Sequence, residues 1–409
     1  MKNRVVNQKY YDIEEQILTD RIAPLPTELH TTLTSVELEE RLEQAYDAFT
    51  EARKAKPCPE KHPQSQHTRH ELVAKTRFGE VHADAIEVNI NPHPNQQTLY
   101  FFGGGIAGAD NASAEICALA AVGYRVVAIP SMLSTGMTAR DPYSEHLHPL
   151  YLTQLQRYEQ LYGSFSADGE IVSKLLQQDQ RMLHERWAAQ NEQYTGEVHM
   201  LGFSAGAAIA MRAAGQLNGK MNLNGLHLVS PAGVYPGFDY IPEEERNVPE
   251  WIDKRHYLAK RQGIRRLRVL GIAAGFGMDT IRVLRDYENR TIIVNAVGDD
   301  AIIKPHKTMP WLAHRCAENI LEQENDRIDA PITIILSQKD GVFPVAKVTE
   351  TANAFAQQRA ENDMPAIEVI TTKTLSGIDR HNHSWTSRNS MILALALRNK
   401  TKVWETELC

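Results

Sequence analysis

The sequence predicts an α/β fold: a mostly parallel, doubly wound sheet with helices on both faces and a helical insertion over one end. Three observations predict it. Short apolar runs alternate with helical stretches over most of the chain, which is the pattern of successive βαβ units. Two of these runs end in glycine-rich turns, TLYFFGGG at 98–105 and VHMLGFSAG at 198–206. The rhythm breaks once, between 234 and 329, in a charged, helix-rich stretch too long for a simple connection.

Taken in order, residues 1–71 read as an N-terminal extension with one helix, SVELEERLEQAYDAFTEARKA at 35–55, and then the polar linker PCPEKHPQSQHTRH. The first part of the core spans 72–233. It opens on a hairpin, LVAKTRF then GEVHADAIEVNI, with Gly79 available for the turn. The strand TLYFF, an Ala-rich helix at about 111–122 and the strand YRVVAIP form a βαβ unit. A long polar helical region at 150–192 leads to the strand EVHML, the turn GFSAG, the helix AAIAMRAAGQL and the strand GLHLVSPAG. Residues 234–329 are read as a cap, and 330–409 as the second part of the core. That second part holds the strands PITIILS and AIEVITTK with the helix VAKVTETANAFAQQRA between them, and it ends on a further helix.

Composition bounds the function. With 409 residues, 42% hydrophobic and 23% charged, the chain can bury a sizeable core. A net charge of −7 gives no global basic field and argues against a general nucleic-acid partner. Cys58, Cys117, Cys316 and Cys409 are scattered, which fits a reducing compartment and disfavours a zinc ribbon. The N-terminal residues show no apolar h-region and no apolar run is long enough to span a bilayer, so the expectation is a cytoplasmic protein without stable membrane insertion. Signal-independent export stays open. Histidines 62, 67, 70, 146 and 148 lie in polar segments without zinc spacing and read as solvated side chains, not metal ligands, and no metal or organic cofactor is expected.

The most specific signal is Gly202-Phe203-Ser204-Ala205-Gly206 between a strand and a helix of small residues. A sharp strand-to-helix turn holds such a serine in a strained conformation with its hydroxyl exposed, the arrangement of a nucleophile elbow. A neutral serine is a poor nucleophile, so a base and a group that orients the base are needed, and for this elbow they follow in the order acid, then histidine. Asp340, in QKDGVFP just past the strand ITIILS, is the candidate acid; Asp299 and Asp300 lie inside the cap and rank second. The loop SGIDRHNHSW offers the base: His383 is preferred because it stands nearer the final helix, and His381 is the second choice. The letters H-N-H lack the dispersed ββα context of a nuclease.

Gly103, Gly105 and Gly108 spell G-x-G-x-x-G after a strand, which raises a dinucleotide site. Such a site needs an acidic residue at the end of the next strand to bind the ribose hydroxyls. That strand ends in Ala128-Ile129-Pro130-Ser131; Asp110 comes too early and Asp141 too late. The alternative use of bare backbone is an oxyanion hole, with one donor at Ala205, after the nucleophile, and the other at Gly104 or Gly105. In the cap, GIAAGFG at 271–277 suits helix packing or a hinge. The segment 254–268 carries seven Lys and Arg in fifteen residues; it reads first as a solvated helix face, and otherwise as a surface for an anionic headgroup or membrane.

Together, FGGG after an early strand, YRVVAIPS, GFSAG, QKDGVFP and the late histidine loop resemble serine hydrolases of the α/β-hydrolase superfamily, esterase- or lipase-like, over roughly residues 72–400. The resemblance implies a nucleophile at Ser204, an acid at Asp340 and a base at His383 or His381. It also implies cleavage of a carboxylic ester in a small-molecule acyl substrate. An acyltransferase, thioesterase or amidase would use the same triad, and a non-catalytic binding protein could keep the fold. Many members carry a histidine before the early glycines, where this chain has Phe102. The long cap is not matched to a lid by the resemblance, which leaves the substrate class open; the sequence also leaves the oligomeric state open.

Overall fold

The computed structural model describes residues 35–55, 69–104, 113–130, 137–140, 151–235, 315–316, 318–337, 343, 345–372, 394 and 397. Among them, nine strands form one sheet: β1 Arg69–Thr76, β2 Gly79–Val88, β3 Thr98–Phe102, β4 Arg125–Ile129, β5 Met137–Arg140, β6 Val198–Phe203, β7 Leu223–Val229, β8 Ile332–Ser337 and β9 Ile367–Thr372. Their spatial order is β1-β2-β4-β3-β6-β7-β8-β9, with β5 paired to β2. The pairs from β4 through β3, β6, β7 and β8 to β9 are parallel, whereas β1, β4 and β5 each run antiparallel to β2. With helices on both faces and a serine turn after β6, this is the α/β-hydrolase fold.

The hairpin forms where Gly79 takes φ 108°, a left-handed conformation that costs glycine nothing. Its first strand starts at Arg69, within what the sequence reads as linker and extension. Strand β5 is a short element that hydrophobic periodicity did not announce; it extends the antiparallel edge by pairing residues 137–140 with 80–83.

The parallel strands read as continuous apolar runs because both faces are covered. Residues 98–102 and 125–129 are all buried. On one face lie helices α1 (Ser35–Lys54) and α2 (Ser113–Ala121), whose Leu38, Ala45, Phe49, Ile116 and Leu119 pack with Leu99, Phe101, Val126 and Ala128. The helix at the head of the chain is therefore a layer of the core.

The opposite face carries α4 (Ser166–Ala188) and α5 (Ala205–Leu217), together with α6 (Ile320–Glu324) and α7 (Val345–Glu361). The long polar helical region resolves into two helices, α3 (Tyr151–Tyr162) and α4, separated by Gly163 at φ 89° and Phe165 at φ 60°. Helix α4 is buried over most of its length, and its buried polar residues include Asp168, Glu170, Asp179 and Gln180. Residues 315–329, at the end of the stretch expected to be a cap, also enter the core: Cys316, Ile320, Leu321 and Ile328 pack in the same cluster as α5. The cap residues 236–314 lie outside the described residues, as do the basic segment, GIAAGFG, Asp299 and Asp300. None of the helices described is long and apolar enough to cross a membrane.

Candidate active site

The strand order fixes where chemistry can be housed. From β3 the chain passes through α2 to β4 on one side, then returns to β6 on the other side of β3. Such a reversal opens a crevice beyond the C-terminal ends of the two strands, the usual ligand position in open α/β sheets. Here those ends are Phe102 and Phe203, level with each other in register one residue apart. The glycine loop leaves the first and Ser204 follows the second.

Ser204 sits between β6 and α5 at φ 55°, ψ −123°. This region is sterically costly for a residue with a Cβ, by an order of 1–3 kcal/mol, and persists only where the surroundings over-determine it. They do so here. The Ser204 N–H donates to the Val229 carbonyl at 2.9 Å, and its carbonyl accepts from the N–H groups of Ala207 and Ala232, both at 3.0 Å. The hydroxyl is not used as a helix cap, so the turn holds the backbone without engaging the side chain in that role.

The glycines of the elbow are required by contact. A Cβ on Gly202 would stand 2.5 Å from the Ala207 Cα, and one on Gly206 would stand 2.2 Å from the Phe102 carbonyl oxygen and 2.5 Å from that of Gly103. Gly206 thus lets the first turn of α5 close onto the end of β3. That closure brings the glycine loop to the serine: a Cβ at Gly104 would be 3.0 Å from the Ser204 Cβ and 3.1 Å from the Phe203 ring. Gly103, Gly104, Phe203 and Ser204 are partly exposed at this crevice, and Ala205 is buried at the start of α5, where the N–H groups have no partner within the helix.

Of the residues singled out in the sequence, the structure therefore brings Ser204, Ala205 and Gly104 together. Gly105, Asp340, His383 and His381 lie outside the described residues. Strand β8, after which Asp340 follows by sequence, pairs in parallel with β7 and β9. Cys117 and Cys316 are buried thiols, and burial pushes Cys316 up to about 12. Among the described residues no cluster could hold a metal ion.

Two charge networks escaped the sequence reading. At the far end of the parallel strands Arg125, the first residue of β4, donates to Asp179 of α4 at 2.7 and 2.9 Å and to Glu87 of β2 at 2.7 Å. His70, expected from its polar segment to be solvated, is instead buried in β1 and joins Glu87 at 2.7 Å, because the strand carries it into the sheet; the Tyr100 hydroxyl donates to Asp179 at 2.7 Å. Burial alone would raise both carboxyls; the Arg125 guanidinium overcomes it and holds Glu87 well below the usual carboxylate range and Asp179 below it as well.

The second network binds residues 315–324 to the α3–α4 corner and to the helix behind the serine. Arg315 bridges Glu159 and Asp168 and lies 3.9 Å over the Phe165 ring. Arg212 of α5 donates to Glu324 and Gln323, each at 2.6 Å, and to the Ser164 carbonyl at 2.9 Å. Burial, with Asp168 adding repulsion, raises Glu159 to about 7 despite Arg315. Partners so distant in sequence leave no local signal.

No family model matches the chain, and no curated protein matches it. Solved structures do. The carboxylesterase CesB of Bacillus subtilis is 13% identical, with 90% of this chain and 99% of that one covered and a TM-score of 0.40. A probable hydrolytic enzyme of Pseudomonas aeruginosa is 15% identical over 82% and 94%, TM-score 0.46. The 2-hydroxy-6-oxo-6-phenylhexa-2,4-dienoate hydrolase BphD of a Rhodococcus species is 13% identical over 81% and 99%, TM-score 0.47. The overlap is loose in each case, so fold and site rest on the strand order and on the geometry around Ser204.

Proposed function

We propose that the chain is a serine hydrolase that cleaves a carboxylic ester of a small molecule through an acyl-enzyme. The observation that carries this is the strained Ser204 at the switch-point crevice, with Gly104 beside it. A serine in that conformation where an ordinary turn residue would be cheaper calls for a reason, and the presentation of a hydroxyl to substrate is one.

In this reading the Ser204 Oγ attacks the ester carbonyl while histidine, His383 by preference over His381, takes its proton; Asp340 fixes the imidazole's tautomer and stabilises the imidazolium. The carbonyl oxygen becomes an oxyanion and accepts hydrogen bonds from the Ala205 N–H and from the N–H of Gly104 or Gly105. One such donor is worth about 2.7–4 kcal/mol in the transition state. Collapse expels the alcohol, protonated by the histidine, and water repeats the sequence on the acyl-enzyme. No step calls for a cofactor, and the basic cap segment is a candidate contact for an anionic part of the substrate or for a membrane surface.

The test is a panel of esters of graded acyl length, run on wild type and Ser204→Ala, with fluorophosphonate labelling of both. Wild type should label and turn over at least one ester, and Ser204→Ala should do neither. Equal activity in the two would remove Ser204 from the reaction.

A further inference from the structure

The residue before the nucleophile carries an aromatic ring at the edge of the crevice. Phe203 is the last residue of β6, and alternation along that strand sets Val198 and Met200 in the core on the α4–α5 face and Leu201 and Phe203 in the core on the α1–α2 face. Phe203 therefore packs on the cluster that holds Leu201, Val229 and Ile335, yet it stays partly exposed at the end of the strand. The elbow demands small residues at 202 and 206 and leaves 203 free to carry a large one.

The ring meets the glycine loop. A Cβ on Gly104 would stand 3.1 Å from the Phe203 Cδ1 and 3.3 Å from its Cε1, with the Ser204 Cβ at 3.0 Å. One edge of the ring thus lies along the Gly104 backbone, next to the point where that backbone reaches the nucleophile. One residue earlier, the Phe102 and Gly103 carbonyls rest against Gly206 in the first turn of α5. The loop therefore crosses two supports, the bare backbone of Gly206 and the ring of Phe203. Among the described residues Gly104 makes no backbone hydrogen bond, and packing is what meets it.

We infer that Phe203 is a positioning residue for the oxyanion hole of the proposed reaction: the edge of its ring holds the Gly104 peptide at the height above Ser204 at which its N–H meets the developing oxyanion. This rests on the serine-hydrolase reading of Ser204. An oxyanion donor acts at about 2.7–3.1 Å, so a small displacement of its peptide removes much of its effect. Glycine makes a support necessary, because a residue without a side chain has the widest choice of backbone conformations and does not hold one geometry by itself. A ring packed into a close-packed core is stiff enough to supply it. In this role Phe203 touches neither substrate nor the reacting atoms; it acts through Gly104.

The test compares Phe203→Ala and Phe203→Leu with wild type on the ester that wild type turns over best, with rates counted per site titrated by the fluorophosphonate. The probe is the trifluoromethyl ketone of the same acyl group. Its carbonyl carbon bonds the Ser204 Oγ and its oxygen becomes an oxyanion as the serine proton passes to the base, so its affinity reads the oxyanion hole directly. Phe203→Ala should lower kcat about thirtyfold with KM within about twofold, weaken the ketone by the same factor, and leave the acid limb of the pH–kcat/KM profile in place. Phe203→Leu keeps most of the core volume but not the ring edge. It should lose about threefold in both readouts, and it carries the test if the alanine variant fails to fold. Wild-type kcat and ketone affinity in a folded variant would overturn the inference and leave Phe203 a packing residue. A raised KM or an altered acyl-length preference, with the ketone weakened no more than KM, would also overturn it and make Phe203 a wall of the substrate pocket. Ser204→Ala serves as the control: if it retains activity the underlying reading fails, whereas if it is dead while both Phe203 variants are normal only the role of Phe203 fails.

Discussion

The two ends of the parallel strands are built from opposite materials. Where β3 and β6 end, the residues are Gly103, Gly104, Ser204, Ala205 and Gly206, and small residues let the backbones approach closely. Where β3 and β4 begin, Arg125, Glu87, Asp179, His70 and Tyr100 form a buried, mutually hydrogen-bonded set. One end stores strain in a serine that glycine neighbours make room for. The other pairs each buried charge with an opposite one. The difference teaches a division of labour: the ionic end fixes the strands, and the bare end can then hold a costly conformation open to a ligand.

The comparison breaks most visibly at Ser204. Ser204→Ala should lower ester turnover by at least about a thousandfold while leaving the melting temperature near that of wild type. A comparable loss of stability in that variant would mean the hydroxyl supports the fold rather than the reaction.

At the opposite end the pattern should invert. Arg125→Met leaves Asp179 buried without its cation and Glu87 with only His70 and the more distant Arg186 at 3.7 Å, and should cost about 3–5 kcal/mol in denaturant unfolding, with kcat of the remaining folded protein little changed. A loss below about 1 kcal/mol would show that water reaches the network.

The network at the α3–α4 corner adds a pH dependence. Glu159 titrates at about 7 in the fold against an ordinary value of 4.5, so between those values the folded chain holds a proton that the unfolded chain releases. Stability contributed this way is full below about 4.5 and falls by about 3 kcal/mol as pH rises to about 7 and beyond. Glu159→Gln should flatten that segment of the curve of melting temperature against pH; an unaltered slope would assign it to other groups.

The smallest effect concerns the glycine loop. Gly104→Ala places a methyl 3.0 Å from the Ser204 Cβ. Activity should drop about tenfold through a shifted oxyanion donor, with stability within about 1 kcal/mol of wild type. Unchanged kcat would move the donor's role to a neighbour in the loop.

Much of this was legible locally. The apolar runs located eight of the nine described strands, and GFSAG located the elbow, because a strand-to-helix turn needs its small residues within one short segment. Gly104, Gly105 and Ala205 were named from the same motifs, and of these Gly104 and Ala205 lie beside Ser204 in the structure; Asp340, His383 and His381 were named on chain order, and they and Gly105 lie outside the described residues. The left-handed turn at Ser230 (φ 43°) gave no sign: it is held by the bonds of its neighbours Val229 and Ala232 to Ser204 and by its own N–H to Ile335, none of which a local pattern encodes.

By itself, then, the sequence determined the α/β class, the order of its elements and the serine turn, since periodicity and turn chemistry act over a few residues. Only the tertiary structure decided that the helix at 35–54 is a layer of the core, that residues 315–329 return to pack on α5, and that Arg125, Arg212 and Arg315 have buried carboxylate partners. Those outcomes depend on which groups meet after the sheet has closed over them. Burial sets their energies, and burial is a property of the whole fold.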